Sequence, residues 1–236
     1  MIQAALATDP GTPGWPNEDF AAITAATAVL LDGATTVPRD ADTGCVHGVA
    51  WYTQALGATL LTAITTEPHV LLGDALAGAI SEIRARHEHT CDLGCPRTPA
   101  ATVTAVRATA TGIDYLALSD STIAADYGGS RPPVVITDTH PAARADPDAA
   151  RQASTGTLPL AGLRGIALLS DGAARITDRY SLLTWPASIA VIRDHGPAAL
   201  IRQVRAAEDS DPDGARWPRR KIRDDATVIW WHPVHD

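Results

Sequence analysis

The stretch that most constrains this chain is Ala28-Val29-Leu30-Leu31-Asp32-Gly33-Ala34. An apolar run of this length reads as a buried strand, and its ending in Asp-Gly puts a carboxylate at the rim of a sheet beside a freely bending backbone. Three other acidic landmarks are built in a similar way: Asn17-Glu18-Asp19 ahead of Phe20, Leu168-Leu169-Ser170-Asp171-Gly172, and Asp224-Asp225 directly before Ala226-Thr227-Val228-Ile229-Trp230-Trp231. Carboxylates gathered from strand ends suit hard cations such as Mg²⁺ or Mn²⁺. Any one of these pairs is ordinarily just a turn or a solvated loop.

The rest of the chain supplies the frame. Residues 2–8 form a strand candidate, and the prolines and glycines of 9–16 force a loop. Residues 20–24 and 27–31 pair through a tight turn, which brings Glu18 and Asp32 to one edge. Residues 46–66 carry a helical stripe of Val49, Leu56, Leu60 and Ile64, with Gly57 on the same face permitting close packing. A second helix presents Leu72, Ala75, Leu76, Ala79, Ile80 and Ile83. The period then changes. Segments 101–109, 112–119, 122–127 and 133–137 are β-rich and read as an antiparallel meander, and 139–158 is polar and weakly patterned, a mobile surface excursion. Residues 165–169 form a buried strand, Gly196-Pro197 opens a helix, and 226–231 is the last strand. This order predicts one α+β domain over residues 1–236, with helices on the outer faces of two sheets.

Composition excludes several function classes. A formal net charge of −8 and a pI near 5.4 argue against a nucleic-acid surface. The exception is a local basic run, Arg216, Arg219, Arg220, Lys221 and Arg223, which reads as a solvated loop or as an attractor of an anionic substrate towards Asp224. Every apolar stretch is broken well short of the roughly 20 residues a membrane span needs, and the first ten residues lack the pattern of a secretory signal. The expected location is therefore cytoplasmic, and three cysteines there predict no disulfide framework. His87, His89, Cys91 and Cys95 lie within nine residues, with Cys45 or His47 as possible helpers for zinc, but the spacing matches no common zinc pattern, and a redox Cys91-Cys95 pair is weaker still.

Taken in order, these landmarks resemble the metal-dependent type 2C protein phosphatases. The residues that carry the resemblance are Asn17-Glu18-Asp19, Asp32-Gly33, Ala101-Thr102-Val103, Ser119-Asp120-Ser121, Ser170-Asp171-Gly172 and Asp224-Asp225-Ala226-Thr227. The resemblance implies a four-layer α-β-β-α sandwich of two mainly antiparallel sheets, with two Mn²⁺ or Mg²⁺ ions at one end. By the same resemblance Asp32 would bridge the ions, Asp171 and Asp224 would complete one, and Glu18 with the Gly33 carbonyl would bind the other. Asp19 would hold metal-bound water, and Asp120 would serve a weaker third ion. Asp32, Asp19 and Asp171 are the implied catalytic set, acting through a water bridging two cations that attacks phosphorus. The implied substrates are phosphoserine or phosphothreonine proteins, or a small phosphate ester, and residues 139–158 fall where relatives place a flap.

The chain departs from that family at two points. Relatives carry a phosphate-gripping Arg five residues before the Asp of the first motif, where this chain has Gly14, and they follow the first Asp-Gly with His-Gly-Gly or Met-Gly-Gly, where it has Ala34-Thr35-Thr36. Arg39, Arg97 or Arg131 could supply the missing cation, and Trp15 could line the pocket or merely pack its loop. The departures leave open a pseudophosphatase that uses the same sandwich as a binding module.

Overall fold

The computed structural model describes residues 3–34, 42–129 and 131–232. Among these residues ten strands form two five-stranded sheets in which every neighbouring pair is antiparallel. The first sheet runs β2 (Phe20–Ile23), β3 (Thr27–Gly33), β4 (Ala101–Ala108), β5 (Ile113–Leu118), β8 (Ser154–Leu158). The second runs β1 (Gln3–Asp9), β10 (Ala226–His232), β9 (Gly165–Leu169), β6 (Thr122–Asp126), β7 (Val134–Ile136). Helices α1 (Val49–Thr66) and α2 (Leu72–His87) cover the first sheet, and α3 (Asp171–Asp178), α4 (Trp185–His195) and α5 (Pro197–Asp209) cover the second. The result is the α-β-β-α sandwich that the sequence implied.

The period of two in β3 explains its central place. Ala28 and Leu30 point between the sheets, while Val29 and Leu31 point into the layer beneath α1 and α2. Ile229 and Trp231 of β10, with Ile166 and Leu168 of β9, fill the same inter-sheet layer from the other side. Continuing the alternation, Asp32 falls on the inter-sheet face. Gly57 of α1 does permit close packing: a Cβ there would lie 2.2 Å from the Phe20 ring, so the helix settles against β2 just after Glu18 and Asp19.

Several expectations are corrected. β3 does not stop at Asp32; Asp32 and Gly33 pair in register with Thr102 and Ala101 of β4, because the ladder continues past the apolar run. The first helix begins at Val49 rather than at residue 46. The meander is split: β4 and β5 stay in the first sheet while β6 and β7 join the second, the chain crossing at Ser119, whose φ is +70°. Strand propensity is blind to which sheet a strand joins. Residues 139–158 are not a detached excursion. They supply a 3₁₀ turn, Pro147–Gln152, that buries Ala150 against α2, and then β8, an edge strand paired with β5. Helices α3 and α4 had no counterpart in the sequence reading. Cys45 and Cys91 are joined as a disulfide, contrary to expectation, because α1 and α2 form a hairpin that returns their flanking loops to one place. Among the described residues, no helix is long and apolar enough to cross a membrane.

Candidate active site

The acidic landmarks converge at one end of the sandwich. Asp32 is the penultimate residue of β3, Asp171 opens α3 directly after β9, and Asp224 precedes β10, while Glu18 and Asp19 lead into β2. The Asp171 amide donates to Asp32 Oδ2 at 3.1 Å, tying the two sheets together at their rim. Asp225 fixes the incoming loop: its two carboxylate oxygens accept from the amides of Gly11 and Glu18, both at 2.7 Å. Its neighbour Asp224 is left to face the cavity.

Two glycines make this convergence possible. A Cβ on Gly172 would fall 2.0 Å from the Asp225 carbonyl oxygen and 3.2 Å from Asp224 Cβ. One on Gly33 would meet Glu18 Cβ and Val49 Cγ1 at 2.6 Å. Contacts below about 3 Å require the backbone to move, so the Asp-Gly pairs serve close approach of segments and are not simply turns.

The carboxylates strain against one another. Burial raises the Asp19 carboxyl to about 7, with the charges of Asp225 and Asp171 adding to the shift and the nearby Thr227 and Ser170 hydroxyls opposing it. Among the described residues, neither Asp19 oxygen has a hydrogen-bond partner. Asp32 is pushed well above the usual carboxylate range by burial and by Asp19, Asp171 and Asp224. Asp171 is raised by burial and Asp224, partly relieved by Arg175. Buried anions without donors call for a cation, and an all-oxygen donor set fits Mn²⁺ or Mg²⁺. No three of these carboxylates bring ligand atoms within 4.8 Å of one another among the described residues, a spread wider than one octahedral ion with ~2.1 Å bonds spans.

Two basic side chains already hold Asp224. Lys221 Nζ lies 2.6 Å from Asp224 Oδ1, and Arg175 Nη2 lies 3.0 Å from Oδ2. Burial works against the Lys221 ammonium, but Asp224, Asp32 and Glu18 outweigh it and raise its pKa. Arg175 also pairs with the buried Glu208 at 2.9 Å, which Arg205 holds from the other side at 2.7 Å while donating to the Asp224 carbonyl at 2.9 Å. Asp32, Asp120, Asp171 and Asp224 line a cavity of about 230 Å³ whose lining also includes Arg179, Arg220 and Lys221. Arg219 also reaches it but is committed to Asp211 at 2.6 Å. Arg179 and Arg220 are exposed, and neither is ion-paired among the described residues.

The fate of the other expected residues is mixed. Asp120 stands exposed at the β5 to β6 crossing and raises the Asp171 pKa, so it faces the same site. Trp15 is 51% exposed and does not line the cavity, nor do Arg97 and Arg131, the latter lying over Tyr127 at 4.6 Å. Arg39 lies outside the described residues. Gly14 has φ +81° and open space around it. Arg175, Arg179 and Lys221 are the cavity-lining residues that sequence reasoning underused. The Asp171, Arg175, Arg179 spacing of four would have shown them on one face of a helix, had a helix been recognised there.

The comparisons agree with the fold. No curated protein sequence matches the chain. Among solved structures, a bacterial serine phosphatase bearing an R161A mutation superposes with TM-score 0.69 at 16% identity, covering 99% of both chains. The Mycobacterium tuberculosis serine/threonine phosphatase PstP gives 0.66 at 16% identity, again over 99% of both. The PstP catalytic domain in complex with 2 manganese ions gives 0.59 at 16% identity, over 98% of this chain and 97% of that one. The family model for protein phosphatase 2C matches residues 12–203. With its sandwich, its rim of carboxylates and this match over most of its length, the chain belongs to the protein phosphatase 2C family.

Proposed function

We propose that this protein is a Mn²⁺- or Mg²⁺-dependent phosphohydrolase that cleaves phosphate monoesters, with phosphoserine or phosphothreonine proteins as the default substrates and a small phosphate ester as the second class. The observation that carries the reading is the cluster of buried Glu18, Asp19 and Asp32 with half-buried Asp171 and Asp224, in which Asp19, Asp32, Asp171 and Asp224 repel one another and the Asp19 oxygens have no partner among the described residues. Asp32, Asp171 and Asp224 would hold one ion once their carboxylates draw in from the wider spacing they have without it, and Asp32, Glu18 and the Gly33 carbonyl the other, with Asp120 beside a third. Divalent cations bound there lower the pKa of water and offset charge on phosphoryl oxygens.

The chain's own residues do the rest. Asp19 accepts hydrogen bonds from water at the floor of the site. Arg179, Arg220 and Lys221 share the cavity with the carboxylates and would stand in for the absent arginine at Gly14, drawing the phosphate dianion into it. Because Arg179 and Arg220 sit at the mouth and are exposed, capture there suits a phosphate carried on a larger body. The alternative of a binding module without turnover gains nothing from the comparisons, and the carboxylate set is complete.

The test is hydrolysis of p-nitrophenyl phosphate and of a phosphothreonine peptide with Mn²⁺, Mg²⁺ or EDTA. Turnover that needs the metal and disappears in Asp32→Asn is expected. Equal silence of wild type and Asp32→Asn on both substrates, with Mn²⁺ still bound to the wild type, would leave only the binding-module reading.

A further inference from the structure

A second set of ligating side chains lies away from the acidic cavity and has no part in its chemistry. It forms where the segment entering α1 meets the turn leaving α2. Cys45, His47 and Cys91 place their sulfur and nitrogen atoms all within 4.8 Å of one another, half-buried. His47 Nδ1 is 3.4 Å from Cys91 Sγ and 3.7 Å from Cys45 Sγ. The ring is held in that attitude by stacking on Trp51, one helical turn further on, with centroids 4.0 Å apart.

Cys95 is the remaining thiol; its sulfur lies outside that 4.8 Å group but beside the same stretch of backbone, from which a rotation of its side chain would bring it in. A Cβ added to Gly44, the residue before Cys45, would lie 2.8 Å from Cys95 Cβ and 3.3 Å from its sulfur. The backbone around it is shaped as a knuckle: the Asp92 amide donates to the Gly44 carbonyl at 2.6 Å, and the Cys95 amide to the Asp92 carbonyl at 3.1 Å. Asp92 Oδ1 accepts from Gly94 N at 3.0 Å, closing the turn between the two cysteines. Two residues suggested by sequence fall away. His87 spends Nδ1 on the Ile83 carbonyl at 2.5 Å, and the His89 side chain is 87% exposed.

We propose that Cys45, His47, Cys91 and Cys95, as thiols and imidazole, bind one Zn²⁺ ion. The Cys45–Cys91 disulfide accounts for two of the four side chains, but not for an imidazole nitrogen directed at both sulfurs or for a third thiol against the same backbone. Three thiolates and one imidazole are a common tetrahedral zinc set, and Cys91 and Cys95 are separated by the short turn such sites use. Freeing Cys45 and Cys91 takes a two-electron reductant, a dithiol or a phosphine, which breaks the S–S bond and leaves one proton on each sulfur; zinc then displaces the three thiol protons with no further redox change. The ion would staple the start of α1 to the end of α2. Since β3 ends at Gly33, it would anchor the far end of the connection that leaves the acidic cavity.

The experiment uses the full chain expressed with supplemental zinc and purified in a phosphine reductant without chelator. The expected result is about one zinc per chain, retained in Asp32→Asn and Asp171→Asn, which disable the carboxylate site, and lost in Cys91→Ser. Substitution with Co²⁺ gives strong thiolate-to-metal charge-transfer absorption in the wild type, weakened in Cys95→Ser even if Cys91→Ser fails to fold. Reduced protein that holds no zinc overturns the proposal. So does zinc that leaves with Asp32→Asn but stays with Cys91→Ser, or an intact mass that remains two hydrogens light in reductant with no metal bound.

Discussion

Lys221 stands where a metal would compete for the same oxygen, and removing it tests how the site handles its cations. Its ammonium lies 2.6 Å from Asp224 Oδ1. Two unit charges at that separation attract by about 6 kcal/mol at an effective dielectric of ~20. The lysine side chain is 31% exposed, however, and screening with side-chain entropy reduces the net value to about 1–1.5 kcal/mol. A divalent ion that uses Asp224 must first displace the ammonium, so the free carboxylate is present in roughly one molecule in ten and the apparent metal affinity is about tenfold weakened.

Lys221→Met keeps the aliphatic stem and removes the charge. Titration of Mn²⁺ by calorimetry, and of Mn²⁺-dependent hydrolysis, is expected to show about tenfold tighter metal binding, with the gap to wild type narrowing as salt rises. The same change removes a cation from the phosphate-facing wall, so KM for the ester rises while the metal constant falls. Arg223→Met, which removes an exposed pair with Asp209, serves as the control and should leave Mn²⁺ affinity unchanged. Unchanged or weaker Mn²⁺ binding by Lys221→Met would refute the competition.

Three further outcomes are expected. Asp19, Asp32 and Asp171 titrate higher in the folded chain, so it binds more protons than the unfolded chain between about pH 4 and 7. In EDTA, stability should therefore be greatest near the acid end of that window and fall by a few kcal/mol as pH rises to about 7, an effect Mn²⁺ flattens. A Tm that climbs with pH in EDTA contradicts it. Below about pH 4 the trend reverses, because hydrogen bonds from the Arg216 and Trp217 amides, with Arg219, hold Asp211 down at about 2. Gly172→Ala sets a methyl against the Asp225 carbonyl, so metal affinity should drop at least tenfold and denaturant melts should show a loss of about 1–3 kcal/mol. Arg175→Ala strips a partner from buried Glu208 and from Asp224, and should cost about 3–5 kcal/mol in urea unfolding, an order more than removing exposed Arg86, whose partner is Glu82.

Much of the first sheet was legible because its signals are local. The alternation in β3 and the three-and-four stripes of α1 and α2 each follow from a few adjacent side chains, and so does the order of the acidic landmarks. What was not legible depends on distant partners. Nothing within 122–136 announces that β6 leaves β5 for β9, a choice made by the layer that Ile123 and Ala125 fill with Ile166 and Leu168. The segment 139–158 looked free because its polar residues sit on an edge strand with one side open, while the residues that bind it, Ala143 and Ala150, are small and carry little pattern.

The largest gap concerned the basic residues, and it bears on how such a site is tolerated at all. Sequence showed the carboxylates one by one and left their compensation out of view. Arg175 and Arg205 reach Asp224 from behind, one through its carboxylate and one through its carbonyl, and both close on Glu208. That arrangement braces Asp224, while Asp19, Asp32 and Asp171 carry the raised pKa values. The cost of assembling the anions thus falls on Asp32 and Asp171, which are expected to hold the ions, and on Asp19 behind them. Metal binding then relieves repulsion where it is greatest and leaves the rim of the sheets in place when the ions depart.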